Sequence, residues 1–180
     1  WKFALDERSI SILPDLSRRC PAVDPDDHHL FVSLGCAAEN LIQAARALGL
    51  QGEAAFDVAR DLVRVSLSPT TGSVSPWFKA IPKRQSTRAE YDGNPLSAAD
   101  LKSLDTASAS ESVRLLLLTD AGALEKVLEF VVQGNTAQMN DRPFVDELKH
   151  WIRFNGADAL RAGDGLYSAS SGNPSVPAWL

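Results

Sequence analysis

Asp24–Gly49, DPDDHHLFVSLGCAAENLIQAARALG, carries the longest amphipathic pattern in the chain. Asp24 suits an N-cap and Pro25 the first helical position. Asp26 and Asp27 favour the positive end of the helix dipole, and Gly49 is a natural stop. Leu30, Leu34, Ala38, Leu41, Ala45 and Leu48 recur at helical spacing and form one apolar stripe. Gly35, Ala37, Ala38, Ala44 and Ala45 are small enough for close packing, so this helix is expected at the centre of the fold.

Working outward, Trp1–Asp15 alternates apolar and polar residues on both sides of Asp6-Glu7, which predicts a β-hairpin. Beyond the helix, Asp61–Ser68 reads as a strand with Val63, Val65 and Leu67 on one face, and residues 69–78 read as a loop. Ser97 with Asp100 forms a capping box that opens a helix. Ser112–Asp120, SVRLLLLTD, predicts a second, more buried strand. Asp120 caps a helix carrying Leu124, Val127, Leu128 and Val131. Asp141 and Pro143 start another, with Phe144, Leu148, Trp151 and Ile152 inward. Residues 159–180 are rich in Gly, Ser and Pro and predict irregular structure.

A strand-helix-strand pattern thus recurs in both halves without a residue-level repeat. The fold class it predicts is α+β, a mostly antiparallel central sheet flanked by helices, open to division into two related lobes. The chain has 180 residues, 44% hydrophobic and 23% charged, enough for one large domain or two small ones. Its net charge of −5 argues against a nucleic-acid partner, which calls for a basic face. No apolar run approaches the roughly 20 residues that span a bilayer. Cys20 and Cys36 form neither a disulfide framework nor a zinc motif; a single bridge between them is one alternative, and reduced thiols, the plainer reading, fit a cytoplasmic setting. The start at Trp1 and the end at Leu180 both look cut, as in a piece of a longer protein.

The chemistry-bearing stretch is Lys83–Arg88, KRQSTR. If helical, Arg84 and Arg88 at i and i+4 meet on one side of a turn with the Ser86 hydroxyl between them. Guanidinium groups hold phosphate oxygens in bidentate fashion, and a hydroxyl with nearby backbone N–H groups completes a cradle. The plainer alternative is a solvated cationic turn balanced by Glu90 and Asp92. Adjacent His28 and His29 point to different helix faces, which suits capping better than metal binding. His150 stands alone beside Trp151. No Ser-His-Asp or Cys-His set assembles by motif. The run from Ala162 to Pro174 is Gly-rich but lacks the Lys-Ser/Thr of a phosphate-binding loop.

Lys83–Leu104, KRQSTRAEYDGNPLSAADLKSL, resembles the opening motif of the nitroreductase family. Trp1–Leu13 followed by the long helix is similar to the segment that begins in that family with Asn-x-Gln-Pro-Trp-x-Phe, Trp1 and Phe3 standing for its Trp and Phe. The order of the two motifs is reversed relative to ordinary members, which resembles the fused, two-lobe branch. The resemblance implies a nitroreductase-like fold with 1–78 as a first lobe and 79–180 as a second. It implies flavin mononucleotide (FMN) as cofactor, contacted through phosphate and ribityl chain by Arg84, Ser86 and Arg88, with Gln85 adjacent. Tyr91 falls one residue later than the family's usual aromatic. NAD(P)H as cosubstrate, a nitroaromatic or quinone-like small-molecule acceptor, and a homodimer or intramolecular pseudo-dimer are implied in the same way. Two alternatives stay open: a catalytically silent, flavin-sequestering or regulatory relative, with 161–180 as a lid, and a cofactor-free interaction domain whose Arg-Ser-Arg loop meets a partner carboxylate.

Overall fold

A computed structural model of the chain describes residues 1–86, 90–107, 113–171 and 176–177. The architecture is α+β and divides into two compact units, Trp1–Ser86 and Thr87–Leu180.

The first unit is a helix laid on a sheet. Strands β1 (Lys2–Leu5) and β2 (Ser9–Leu13) make the predicted hairpin. Helix α1 (His28–Ala47) follows, then β3 (Leu50–Asp57) and β4 (Leu62–Pro69). The sheet order is β1-β2-β4-β3, and every pairing is antiparallel. Register sorts the side chains by chemistry. Phe3, Ile12, Val63 and Phe56 lie in one cross-strand row, and Leu5, Ile10, Val65 and Ala54 in the next. That face packs against α1. Ile12, Val63 and Val65 meet Leu34, Ala37 and Ala38, with Phe31, Leu41, Ile42 and Leu67 around them. The other face carries rows such as Ala4, Ser11, Arg64 and Ala55, with Arg64 Nη1 donating to Ser9 Oγ at 3.4 Å. This alternation is what a sheet covered on one side requires.

Helix and sheet approach closely because the residues between them are small. A Cβ on Gly52 of β3 would stand 3.1 Å from Ile42 Cγ1 and 3.2 Å from Val65 Cγ1. Strand β3 was not legible in the sequence. Its Gly52, Ala54 and Ala55 have weak strand preference, and pairing along all of β4 stabilises it instead.

The start of α1 differs from expectation. The helix begins at His28, after a turn in which Asp27 N–H donates to the Asp24 carbonyl and Asp27 takes φ 58°. Asp24 still caps the helix from this distance. Its buried carboxylate accepts from His29 N at 3.0 Å and Leu30 N at 2.9 Å. Leu48, expected on the buried stripe, is the C-cap residue and stays 80% exposed.

Acid sensitivity follows from these carboxylates. Burial pushes the Asp24 pKa up, but the two backbone N–H donors pull it down and prevail. The Ser17 hydroxyl and Lys2 hold Asp15 at about 2. Both folded values lie below the ordinary carboxylate value, so the unfolded chain binds more protons. Their contribution is complete above roughly pH 4 and is lost as pH falls through the folded values. Melting temperature is expected to drop between about pH 4 and pH 2, with a shallower drop in Asp24→Ala. An unchanged slope in that variant contradicts the assignment.

A short helix, α2 (Pro76–Ala80), replaces part of the expected 69–78 loop. Ser75 is its N-cap, accepting from Phe78 N at 3.0 Å, and Pro76 follows as the first helical residue. A 3-10 turn over Ile81–Lys83 extends it.

The second unit contains α3 (Ala98–Ala107), α4 (Ala121–Asn140), α5 (Arg142–Trp151) and α6 (Gly156–Ala162). Strands β5 (Ile152–Arg153) and β6 (Leu166–Tyr167) form a short parallel pair before α7 (Ser168–Ser171). Two of the predicted caps are made by side chains, at Ser97 and Asp120, while Asp141 takes the N-cap position of α5 without a side-chain capping bond. Asp100 N donates to Ser97 Oγ at 3.1 Å, and Ala123 N to Asp120 Oδ1 at 2.9 Å. Phe144, Leu148 and Trp151 are half-buried, as the helical spacing predicts, whereas Ile152, expected on the same helix, is buried in β5.

Two expectations fail in this unit. Residues 113–120 form no strand, and Val113 and Leu115–Leu118 are exposed. A strand needs an edge to pair with, and among the described residues of this unit the β5–β6 pair is the sole ladder. The tail, expected to be irregular, is structured through Ser171. Arg153 Nη2 meets Asp164 Oδ1 at 2.7 Å, and buried Ser168 donates to the Phe154 carbonyl at 3.1 Å.

Gly165 is required at its position. It takes φ 75°, and a Cβ there would collide with the Trp151 carbonyl and stand 3.0 Å from Arg153 Cζ. Gly165→Ala is expected to destabilise the second unit by about 2 kcal/mol. Urea denaturation followed by Trp fluorescence checks this, and a loss below about 0.5 kcal/mol contradicts it.

Candidate functional site

Two clefts in the first unit bear cationic side chains. One, of about 340 Å3, is lined by Arg18, Arg19, Cys20, Val23, Asp24, His29 and Leu30. Its charges are already used. Arg19 Nε donates to Asp27 Oδ1 at 2.7 Å, a contact that pushes the guanidinium pKa up, and Arg18 Nε lies 3.8 Å from Asp15 Oδ2. With Asp24 capping α1 in its wall, this cleft belongs to the start of the helix.

The other cleft, of about 310 Å3, lies between α1 and the helical segment that begins at Pro76. Glu39, Asn40 and Gln43 line it from α1. Trp77, Ala80, Ile81 and Arg84 line it from the other side. Spacings of four residues (39, 43) and of three to four (77, 80/81) put each set along one helical face, and Arg84 follows directly after the 3-10 turn. A chain of hydrogen bonds joins the walls. Ser75 Oγ donates to Gln43 Oε1 at 2.6 Å, and Gln43 Nε2 donates to Glu39 Oε1 at 2.7 Å.

Arg84 is where the sequence placed chemistry. Its backbone N–H still donates to the Ala80 carbonyl at 2.9 Å, while its own conformation is extended, φ −67° and ψ 132°. Helical geometry therefore ends at Arg84, and Gln85 and Ser86 continue outside any helix. The expected helical turn carrying Arg84 to Arg88 is not formed over its first residues. Pro82 is accommodated early in the 3-10 turn, and no carbonyl pattern carries that turn past Lys83. Arg84, Gln85 and Ser86 are exposed, and their side chains make no hydrogen bond or ion pair among the described residues. Arg88 lies outside the described residues.

The cleft residues Glu39, Asn40, Gln43 and Trp77 were missed in the sequence. Glu39, Asn40 and Gln43 sit on the polar side of an amphipathic helix, where solvated residues are the rule. Trp77 fell in a stretch read as a loop. The available signal was Ser75-Pro76, an N-cap followed by a first-turn proline.

Among the described residues no group of three His, Cys, Asp or Glu side chains could hold a metal ion. No helix among them is long and apolar enough to cross a membrane. Comparison with family models, curated proteins and solved structures gives no match.

Proposed function

We propose that this chain is an FMN-binding oxidoreductase of nitroreductase type, on a nitroreductase-like fold. Arg84, Gln85, Ser86 and Arg88 are the contacts to the FMN phosphate and ribityl chain. The observation that carries the reading is a guanidinium, Arg84, without an ion pair or hydrogen bond among the described residues, lining a cleft that also has an exposed indole in its wall.

The donor set fits a phosphate. Arg84 offers a fixed fork of N–H groups with no carboxylate paired to it among the described residues, and Ser86 adds a hydroxyl two residues on. Arg84 is extended and residues 85–86 lie outside any helix, which leaves the Gln85 and Ser86 N–H groups outside the helical hydrogen-bond pattern, where they can add donors. A cleft of about 310 Å3 lies at the low end of ligand pockets, which run to roughly 300–1,000 Å3.

When bound, the flavin supplies two-electron transfer from NAD(P)H to a nitroaromatic or quinone-like acceptor, chemistry that needs no side-chain nucleophile. This chain's part is to bind and orient. Arg84 fixes the phosphate end, Ser86 sets its rotation, and the walls from α1 and α2 shield one side from water.

The test is reconstitution with FMN followed by NAD(P)H oxidation with menadione or nitrofurazone. The proposal expects a yellow protein with acceptor-dependent turnover. Flavin bound without turnover moves the chain to the flavin-sequestering class, and failure to take up FMN rejects the reading.

A further inference from the structure

Resting on the flavin reading above, we infer that the cleft between α1 and α2 seats the isoalloxazine ring itself. Trp77 is its stacking wall, and Glu39 and Asn40 are the partners of its pyrimidine edge.

Trp77 supplies the first argument. It is 62% exposed, although it sits in the wall of a cleft, and no aromatic neighbour covers it among the described residues. An indole held on a helix with a free face is a platform for a flat heteroaromatic ring. Arg84 lies seven residues further on, just past the 3-10 turn over Ile81–Lys83. At a rise of about 1.5 Å per residue in α2 and about 2.0 Å in the 3-10 turn, the two Cα atoms stand roughly 10–12 Å apart along the segment. A ribityl chain joins ring and phosphate across a separation of that order, so one ligand can reach both.

Hydrogen bonding in the opposite wall supplies the second. Gln43 is engaged at both ends of its amide, donating to Glu39 Oε1 at 2.7 Å and accepting from Ser75 Oγ at 2.6 Å. It therefore positions Glu39 and ties α2 to α1. The second carboxylate oxygen of Glu39 and the side-chain amide of Asn40 make no hydrogen bond among the described residues. They leave an anionic acceptor beside a group that both donates and accepts. The flavin pyrimidine edge is complementary, an N3–H between two carbonyls. Glu39 accepts from N3–H, and Asn40 Nδ2 donates to a flanking carbonyl. A ring lacking that imide edge leaves Glu39 without a donor, so the site selects against plain aromatic hydrocarbons.

Calorimetric titration of FMN and riboflavin into the full chain separates ring from phosphate. Trp77→Ala is expected to weaken both ligands by about tenfold or more, and Trp77→Phe to stay within about threefold of the parent. Bound riboflavin is expected to be dark in the parent and brighter in Trp77→Phe, because indole quenches flavin emission and a phenyl ring does so poorly. Glu39→Ala is expected to weaken both ligands, whereas Arg84→Ala weakens FMN and leaves riboflavin unchanged. Thermal melts of each variant separate loss of binding from loss of fold. Parent-like affinity for both flavins in folded Trp77→Ala overturns the inference. Binding of FMN with no measurable affinity for riboflavin also overturns it while leaving the phosphate grip intact. A variant series in which Trp77 matters and Arg84 does not upholds the ring site and rejects the phosphate contact. Failure to bind either flavin overturns both.

Discussion

Leu34→Ala is expected to lower the stability of the first unit by about 3 kcal/mol, within the range for large-to-small changes at buried leucines. Leu34 is completely buried and stands in the middle of α1, where it meets the sheet residues Ile12, Val63 and Val65. One helix covers one sheet face, so no second layer can collapse into the space left behind. A loss of that size is a large fraction of the 5–15 kcal/mol typical of a whole domain. Leu48→Ala, on the same helix but 80% exposed, is expected to change stability by less than about 0.5 kcal/mol. Urea denaturation of both variants checks the pair through the midpoint at unchanged m-value. Equal effects at the two positions contradict the packing described for α1.

Arg84→Ala is expected to cost about 2–3 kcal/mol of FMN binding, a loss of affinity of roughly 30-fold or more. The parent guanidinium makes no ion pair among the described residues, so truncation breaks no internal bridge and the fold is expected to hold. Arg84→Lys keeps the charge and loses the planar fork, and an intermediate affinity is expected. Equilibrium dialysis at two salt concentrations checks the series. Equal FMN affinity in all three proteins rejects Arg84 as the phosphate contact.

Much of the first unit can be read from residue patterns because one physical device repeats. Ile12, Val63, Val65 and Leu67 alternate with polar neighbours, while Leu34, Ala38 and Leu41 follow the helical period, and each pattern names its own buried face. Caps are legible for the same local reason, as at Ser97 and Asp120. What escapes depends on partners distant in sequence. Strand β3 exists through β4 and not through its own Gly52, Ala54 and Ala55. Leu115–Leu118 is a short apolar run of strand length with no strand to join among the described residues. At the candidate site, Arg84 was legible as part of the cationic, hydroxyl-bearing run Lys83–Arg88. Its companions Glu39, Asn40, Gln43 and Trp77 become neighbours only when α2 folds back onto α1 through the Ser75–Gln43 bond.

The most direct test of the central claim is the ratio of FMN to riboflavin affinity in the unmodified protein, since the two ligands differ by the phosphate alone. A phosphate held by Arg84 and the 85–86 donors predicts FMN tighter by about 30-fold or more, with the advantage shrinking as salt rises. Equal affinities, or no affinity for FMN, would contradict the assignment of this cleft to a flavin phosphate.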